Sequence, residues 1–204
     1  TIRALTSGDP LVRYGDLRVH PKVPMVLAVR EDHRVNGEAE TTLVGLGWPG
    51  TDGAGREVVL RRGADFYANP TLSDDGRLAW LEWWHPAMPW DSTLLKVGRL
   101  DTQEWSVADV QLVAGRSGAG LDGVAVHHPR WSTAGTLVYT SDVSGYYQLA
   151  EWDGRGVRAL HCDQADFDLP MFVLGNHAHA DLDGKQILGW RLDEGLCHLA
   201  IVSR

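Results

Sequence analysis

The sequence predicts an all-β fold, a partial β-propeller of about four blades with four antiparallel strands each. Three observations predict it. The segment Pro70-Thr71-Leu72-Ser73-Asp74-Asp75-Gly76-Arg77-Leu78-Ala79-Trp80 returns as Pro129-Arg130-Trp131-Ser132-Thr133-Ala134-Gly135-Thr136-Leu137-Val138-Tyr139, with proline, serine, glycine, leucine and an aromatic in the same register. Each copy reads as a short strand, a tight glycine turn and a second strand, and repetition at roughly 40–60 residues of such units marks a propeller. The 23 glycines and 9 tryptophans suit tight turns between strands that pack face to face. No window carries a 3.6-residue apolar period, so helix should be scarce.

Alternation of apolar and other residues then places the elements in order. The first blade (14–63) takes Tyr14–Val19, Met25–Arg30, Thr42–Gly47 and Arg56–Arg61. The second (64–115) takes Phe66–Leu72, Arg77–Trp83, Leu94–Leu100 and Asp109–Ala114. Val126–Trp131, Thr136–Ser141, Tyr147–Trp152 and Val157–Leu160 form the third (124–163). The fourth (164–204) begins at Leu169–Leu174, is irregular around Asn176–Asp181, and pairs Gln186–Leu192 with Cys197–Val202. Ala64-Asp65-Phe66 and Ala165-Asp166-Phe167 both lead into innermost strands. Ile2-Arg3-Ala4-Leu5-Thr6 echoes Val157-Arg158-Ala159-Leu160-His161, so residues 1–6 read as an outer strand of a preceding blade or a closure strand. The arc can be part of a larger propeller, a closed four-bladed ring, or one half of a homodimer. The absence of an initiator methionine favours the first.

At 204 residues the chain can build one sizeable core. Its net charge of −8 argues against a nucleic-acid partner. No stretch approaches the ~18 apolar residues of a membrane helix. Cys162 and Cys197 show no metal or redox spacing and read as reduced thiols of a cytoplasmic protein.

Loops from one face of the propeller are long and residue-rich: 30–40, 62–69, 82–92 and 115–128. The opposite turns are short. Binding concentrates on such loops. The candidates for substrate or domain contact are Arg30, Glu31, Asp32 and His33 in one charged cluster, and Trp83, His85, Met88, Trp90 and Asp91 in an aromatic, proline-stiffened loop. Gly115-Arg116-Ser117-Gly118-Ala119 lacks the second glycine of a nucleophile elbow and reads as a linker. His177-Ala178-His179 with Asp181, and His127-His128, fall short of the three or four ligands of a zinc site. No catalytic residue, metal or cofactor is expected.

With these residues in view, the chain resembles the N-terminal propeller of prolyl oligopeptidase family serine peptidases, in the acylaminoacyl-peptidase and dipeptidyl-aminopeptidase-like branch. The resemblance rests on Val29-Arg30-Glu31-Asp32-His33, Ala64-Asp65-Phe66-Tyr67, and Leu78-Ala79-Trp80-Leu81 through His85-Pro86 and Met88-Pro89-Trp90-Asp91. The turns depart from the family's Ser-Pro-Asp-Gly, and Trp84 stands where aspartate is expected. The resemblance implies TolB/WD40-like repeats stacked on an α/β-hydrolase domain that supplies serine, aspartate and histidine. The propeller would then admit short peptides to a cavity, and this chain alone would be silent. Rival readings are a stand-alone interaction module and a propeller glycosidase or lyase. The latter would use inward side chains such as Asp16, Arg18, Asn69, Arg130 and Asp168, too mixed a set to favour it.

Overall fold

A computed structural model describes residues 2–117 and 122–204 and contains four antiparallel sheets. The first holds β1 (Val12–Val19), β2 (Met25–Asp32), β3 (Glu40–Gly47) and β4 (Glu57–Arg61). The second holds β5 (Phe66–Leu72), β6 (Arg77–Trp83), β7 (Leu94–Asp101) and β8 (Ser106–Ala114). In the third, β9 (Val126–Trp131), β10 (Leu137–Ser141), β11 (Gln148–Trp152) and β12 (Val157–Ala159) follow the same order. β13 (His179–Asp181), β14 (Gln186–Asp193) and β15 (Leu196–Ser203) make a three-stranded fourth sheet. Every sheet is a meander of sequential neighbours, the order expected of a propeller blade.

The two-residue period of each strand decides which sheets touch. On β2, Met25, Leu27 and Val29 meet Tyr67, Leu78 and Trp80 of the second sheet, while Val26 and Ala28 form a smaller cluster with Val44 and Leu46. On β6, Leu78 and Trp80 face the first sheet, while Ala79, Leu81 and Trp83 face Val126, Leu137 and Tyr139 of the third. Val138 and Leu149 turn the other way, onto Phe167, Ile187 and Val202. Successive sheets thus share successive apolar layers, which is what makes them blades.

The repeated segment is a repeated turn. Ser73 and Ser132 each accept a backbone N–H with the side-chain oxygen, from Arg77 (2.8 Å) and Thr136 (3.2 Å). Gly76 (φ 87°) and Gly135 (φ 78°) supply the left-handed residue. Arg77 ties the copies together by donating to the Gly135 carbonyl (3.1 Å) with its guanidinium 4.3 Å over the Trp131 ring. A second repeat is hidden in the innermost strands. Asp16, Asn69 and His128 all have positive φ (52°, 49° and 51°), each beside a register shift in β1, β5 or β9. Each is a bulge that re-aims a polar side chain.

Two expected elements are absent. Leu169–Leu174 is not a strand: Asp168 is drawn into a buried cluster with β9 and β10, and Phe172 docks on Trp90, so the extended register is lost. The innermost strand is instead β13. Residues 2–6 also form no strand. Among the described residues they join no ladder, and Leu5 packs on the Val26–Leu46 cluster. Gly118 and Ala119 of the linker lie outside the described residues. Among the described residues no helix is long and apolar enough to cross a membrane.

Candidate functional site

The β2–β3, β4–β5 and β6–β7 loops converge on one face around two adjoining concavities. The larger, about 680 Å³, is lined by Glu31, Glu38, Glu40 and Asp65, by His33 and His85, and by Phe66. Four carboxylates against two imidazoles make it acidic. The smaller, about 240 Å³, is an apolar notch of Phe66, Trp83, Met88, Trp90, Met171 and Phe172, extended by Val173 and Leu174. Phe66 borders both. Its ring stacks on Trp83 (centroids 5.1 Å, 18°) and meets the edge of His85 (4.8 Å, 72°).

The loop that follows β6 is held by its own polar atoms. The His85 N–H donates to Asp65 (2.9 Å), the Met88 N–H to the Asp91 carboxylate (2.9 Å), and the Trp84 indole N–H to the Gly63 carbonyl (3.0 Å). The His85–Pro86 peptide is cis. Thr93, at the base of the loop, donates its hydroxyl to the Val126 carbonyl (2.7 Å) and accepts the Val126 N–H (2.6 Å). Ser92 donates to the Arg116 carbonyl (2.9 Å). These hydroxyls are committed to the backbone, and among the described residues no serine or cysteine lines either concavity.

The nine candidate residues therefore divide. Glu31, His33 and His85 face the acidic cleft, and Trp83, Met88 and Trp90 the notch. Arg30 turns away to Glu57 on β4 (2.6 Å). Asp32 is clasped by the Arg34 guanidinium (Nε 2.8 Å), whose hydrogen bonds hold its carboxyl well below the usual range. Asp91 caps its own loop. Sequence reasoning missed Phe66, Glu38 and Asp65 as site residues, although the repeated Ala-Asp-Phe signalled two of them. It also missed Met171 and Phe172, hidden by the wrongly expected strand.

A second polar group gathers at the innermost strands. Asp16 accepts the Asn69 N–H and lies 3.6 Å from Arg18, whose guanidinium is 3.0 Å from the His177 ring. Burial raises the Asp16 pKa despite the Asn69 bond. His127 and His128 reach the Asp168 carboxylate at 3.3 and 3.1 Å, and Thr140 donates to the same carboxylate. Burial pushes Asp168 up, but the two imidazoles beside it outweigh that and the carboxyl ends well below its ordinary value. His179 donates through Nε2 to the His128 carbonyl (2.9 Å), yet burial brings its pKa down to about 4. His177 falls to about 4 as well, from burial and then from the Arg130 and Arg18 charges. Four of the five inward residues read from sequence, Asp16, Arg18, Asn69 and Asp168, thus join two local clusters.

No protein-family model matches the chain, and no curated protein matches it. Solved structures do. A puromycin-hydrolyzing peptidase of Mycobacterium tuberculosis is 27% identical with a TM-score of 0.79, over 94% of this chain and 30% of that one. A puromycin hydrolase is 26% identical with a TM-score of 0.82, over 94% of this chain and 29% of that one. TolB from Acinetobacter baumannii, 17% identical with a TM-score of 0.55 over 87% of this chain and 38% of that one, shares the fold. The chain spans about three-tenths of the length of the peptidases it matches. Over nearly all of its residues, the chain is similar to the N-terminal β-propeller region of prolyl oligopeptidase family peptidases.

Proposed function

We propose that this chain is the non-catalytic, substrate-gating propeller portion of a serine peptidase of this family acting on short peptides, with its loop-rich face toward an α/β-hydrolase domain. The observation that carries the reading is the junction at Phe66, where an acidic cleft meets an aromatic notch on the elaborated face of a peptidase-like propeller. A short peptide offers a protonated amino group to the carboxylates and an apolar side chain to the notch. Acylaminoacyl- and dipeptidyl-aminopeptidase-like specificity, and a cytoplasmic location, belong to the same proposal. The chain itself holds the peptide and excludes larger substrates. In the whole enzyme, acyl transfer would fall to a serine activated by histidine.

The test pairs two assays on the purified chain. Chromogenic aminoacyl and acylaminoacyl substrates should give no turnover, since no serine or cysteine among the described residues lines the concavities. Phe-Gly-Gly should change the tryptophan fluorescence saturably, and Trp90→Ala should abolish the change. Hydrolysis that survives purification contradicts the silent role. A fluorescence response absent for peptides but present for a protein partner would favour a stand-alone interaction module.

A further inference from the structure

We propose that His127, His128 and Asp168 form a buried site for one divalent transition-metal ion, best matched by Zn²⁺, that clasps the third sheet to the segment entering the fourth. His127 and His128 sit side by side on β9, aimed together by the bulge at His128. Asp168 arrives from the segment after the Ala165-Asp166-Phe167 lead. One donor atom from each lies within 4.8 Å of the others, and all three residues are buried. Tetrahedral zinc with N and O ligands at ~2.0–2.1 Å sets donors about 3.3 Å apart. His127 Nδ1 lies 3.3 Å from Asp168 Oδ2 and His128 Nε2 3.1 Å from Asp168 Oδ1, so each imidazole meets its own oxygen of the carboxylate at about that spacing.

Proton positions point the same way. His127 Nε2 lies 3.0 Å from the Pro89 carbonyl, a contact only an N–H can make, so a neutral ring leaves Nδ1 as a bare lone pair. That lone pair faces the Asp168 carboxylate, another acceptor, in a side chain with no exposed surface, and it has no hydrogen-bond partner. Two acceptors facing each other in a dry site call for a cation between them. The outer contacts are those of a ligand set. The Pro89 carbonyl fixes the His127 tautomer, while Thr140 Oγ1 and the Leu169 N–H (2.7 Å) orient the carboxylate. The His128 Nδ1 is unpartnered with or without the metal. Three protein ligands leave a fourth position for water. The donor set of two imidazoles and one carboxylate suits zinc over magnesium or calcium.

The chelator-stripped chain is titrated with zinc chloride, following bound metal and thermal midpoint, and with Co²⁺ for its absorption spectrum. One equivalent of zinc should bind and raise the midpoint. Cobalt should give the visible bands of a four-coordinate nitrogen–oxygen site with no thiolate charge transfer, which excludes the exposed Cys162 and Cys197. Asp168→Asn and His127→Gln should each weaken binding by about 100-fold or more, whereas the surface change His161→Gln should leave it unchanged. If both variants fail to fold, the wild-type cobalt spectrum still decides. Lack of uptake, a thiolate band, or binding untouched by the ligand substitutions would overturn the proposal.

Discussion

Thr93→Val tests the joint between the second and third sheets with almost no change of shape. Val126 opens β9, and both its N–H and its carbonyl point away from β10, where no strand receives them. The Thr93 hydroxyl satisfies both, at 2.6 and 2.7 Å, in a residue with no exposed surface. Valine fills the same volume and satisfies neither group. A buried polar group left unpaired costs about 1–3 kcal/mol, so two of them cost about 2–4 kcal/mol once partial relaxation is allowed. For a chain of this size each kcal/mol moves the thermal midpoint by about 2–4 °C, giving a fall of roughly 5–15 °C. Thr93→Ser keeps the hydroxyl and should lose much less. Thermal and urea unfolding of the three proteins, followed by far-ultraviolet circular dichroism, read the effect. A Thr93→Val protein within about 0.5 kcal/mol of the parent would refute the argument that one hydroxyl substitutes for a missing strand.

Other outcomes follow from the same contacts. Arg77→Ala removes the stacking on Trp131 and the bond to the Gly135 carbonyl, and should cost about 1–2 kcal/mol in urea unfolding. Acid should destabilise the chelator-treated chain as pH falls from 6.5 toward 4. His177 and His179, lowered to about 4 in the fold, stay neutral there while the unfolded chain takes up protons, so stability is lost across that window. The contribution of Asp168, whose folded pKa is depressed, disappears only at more acidic pH. His179→Gln should flatten the dependence of the urea midpoint between pH 7 and pH 5, and an unchanged slope would contradict the assignment. Glu38→Gln with Asp65→Asn should weaken binding of Phe-Gly-Gly about tenfold and leave its acetylated form unaffected, as read by tryptophan fluorescence. Equal loss for both peptides would remove the amino group from the account.

What could be read from the residues alone was what local chemistry dictates. Ser73 and Gly76 bind their own turn, as do Ser132 and Gly135, so the repeat announced hairpins, and hairpins at that spacing announced blades. The alternation on β2 and β6 gave both buried faces. The innermost strand of the fourth sheet escaped because Asp168 and Phe172 are held by groups on β9, β10 and the loop after β6, which no local pattern reveals. The echo of Val157–Leu160 in residues 2–6 has no strand to match it among the described residues, because a strand-like pattern forms a ladder only where a neighbouring strand pairs with it. Among the site residues, the aromatic loop was legible as a cluster. The turn of Arg30 toward Glu57 was not, since it depends on β4 lying two strands away. Likewise His127 and His128 looked ordinary until Asp168 was brought between them.

The measurement closest to the central claim is a map of amide and indole chemical shifts as Phe-Gly-Gly is added to the isotope-labelled chain. Perturbations should gather at Phe66, His85 and Trp90, around the acidic cleft and the aromatic notch. Shifts centred instead on the short turns at Ser73–Arg77 and Ser132–Thr136, or none at saturating peptide, would contradict a substrate-facing role for the loop-rich face.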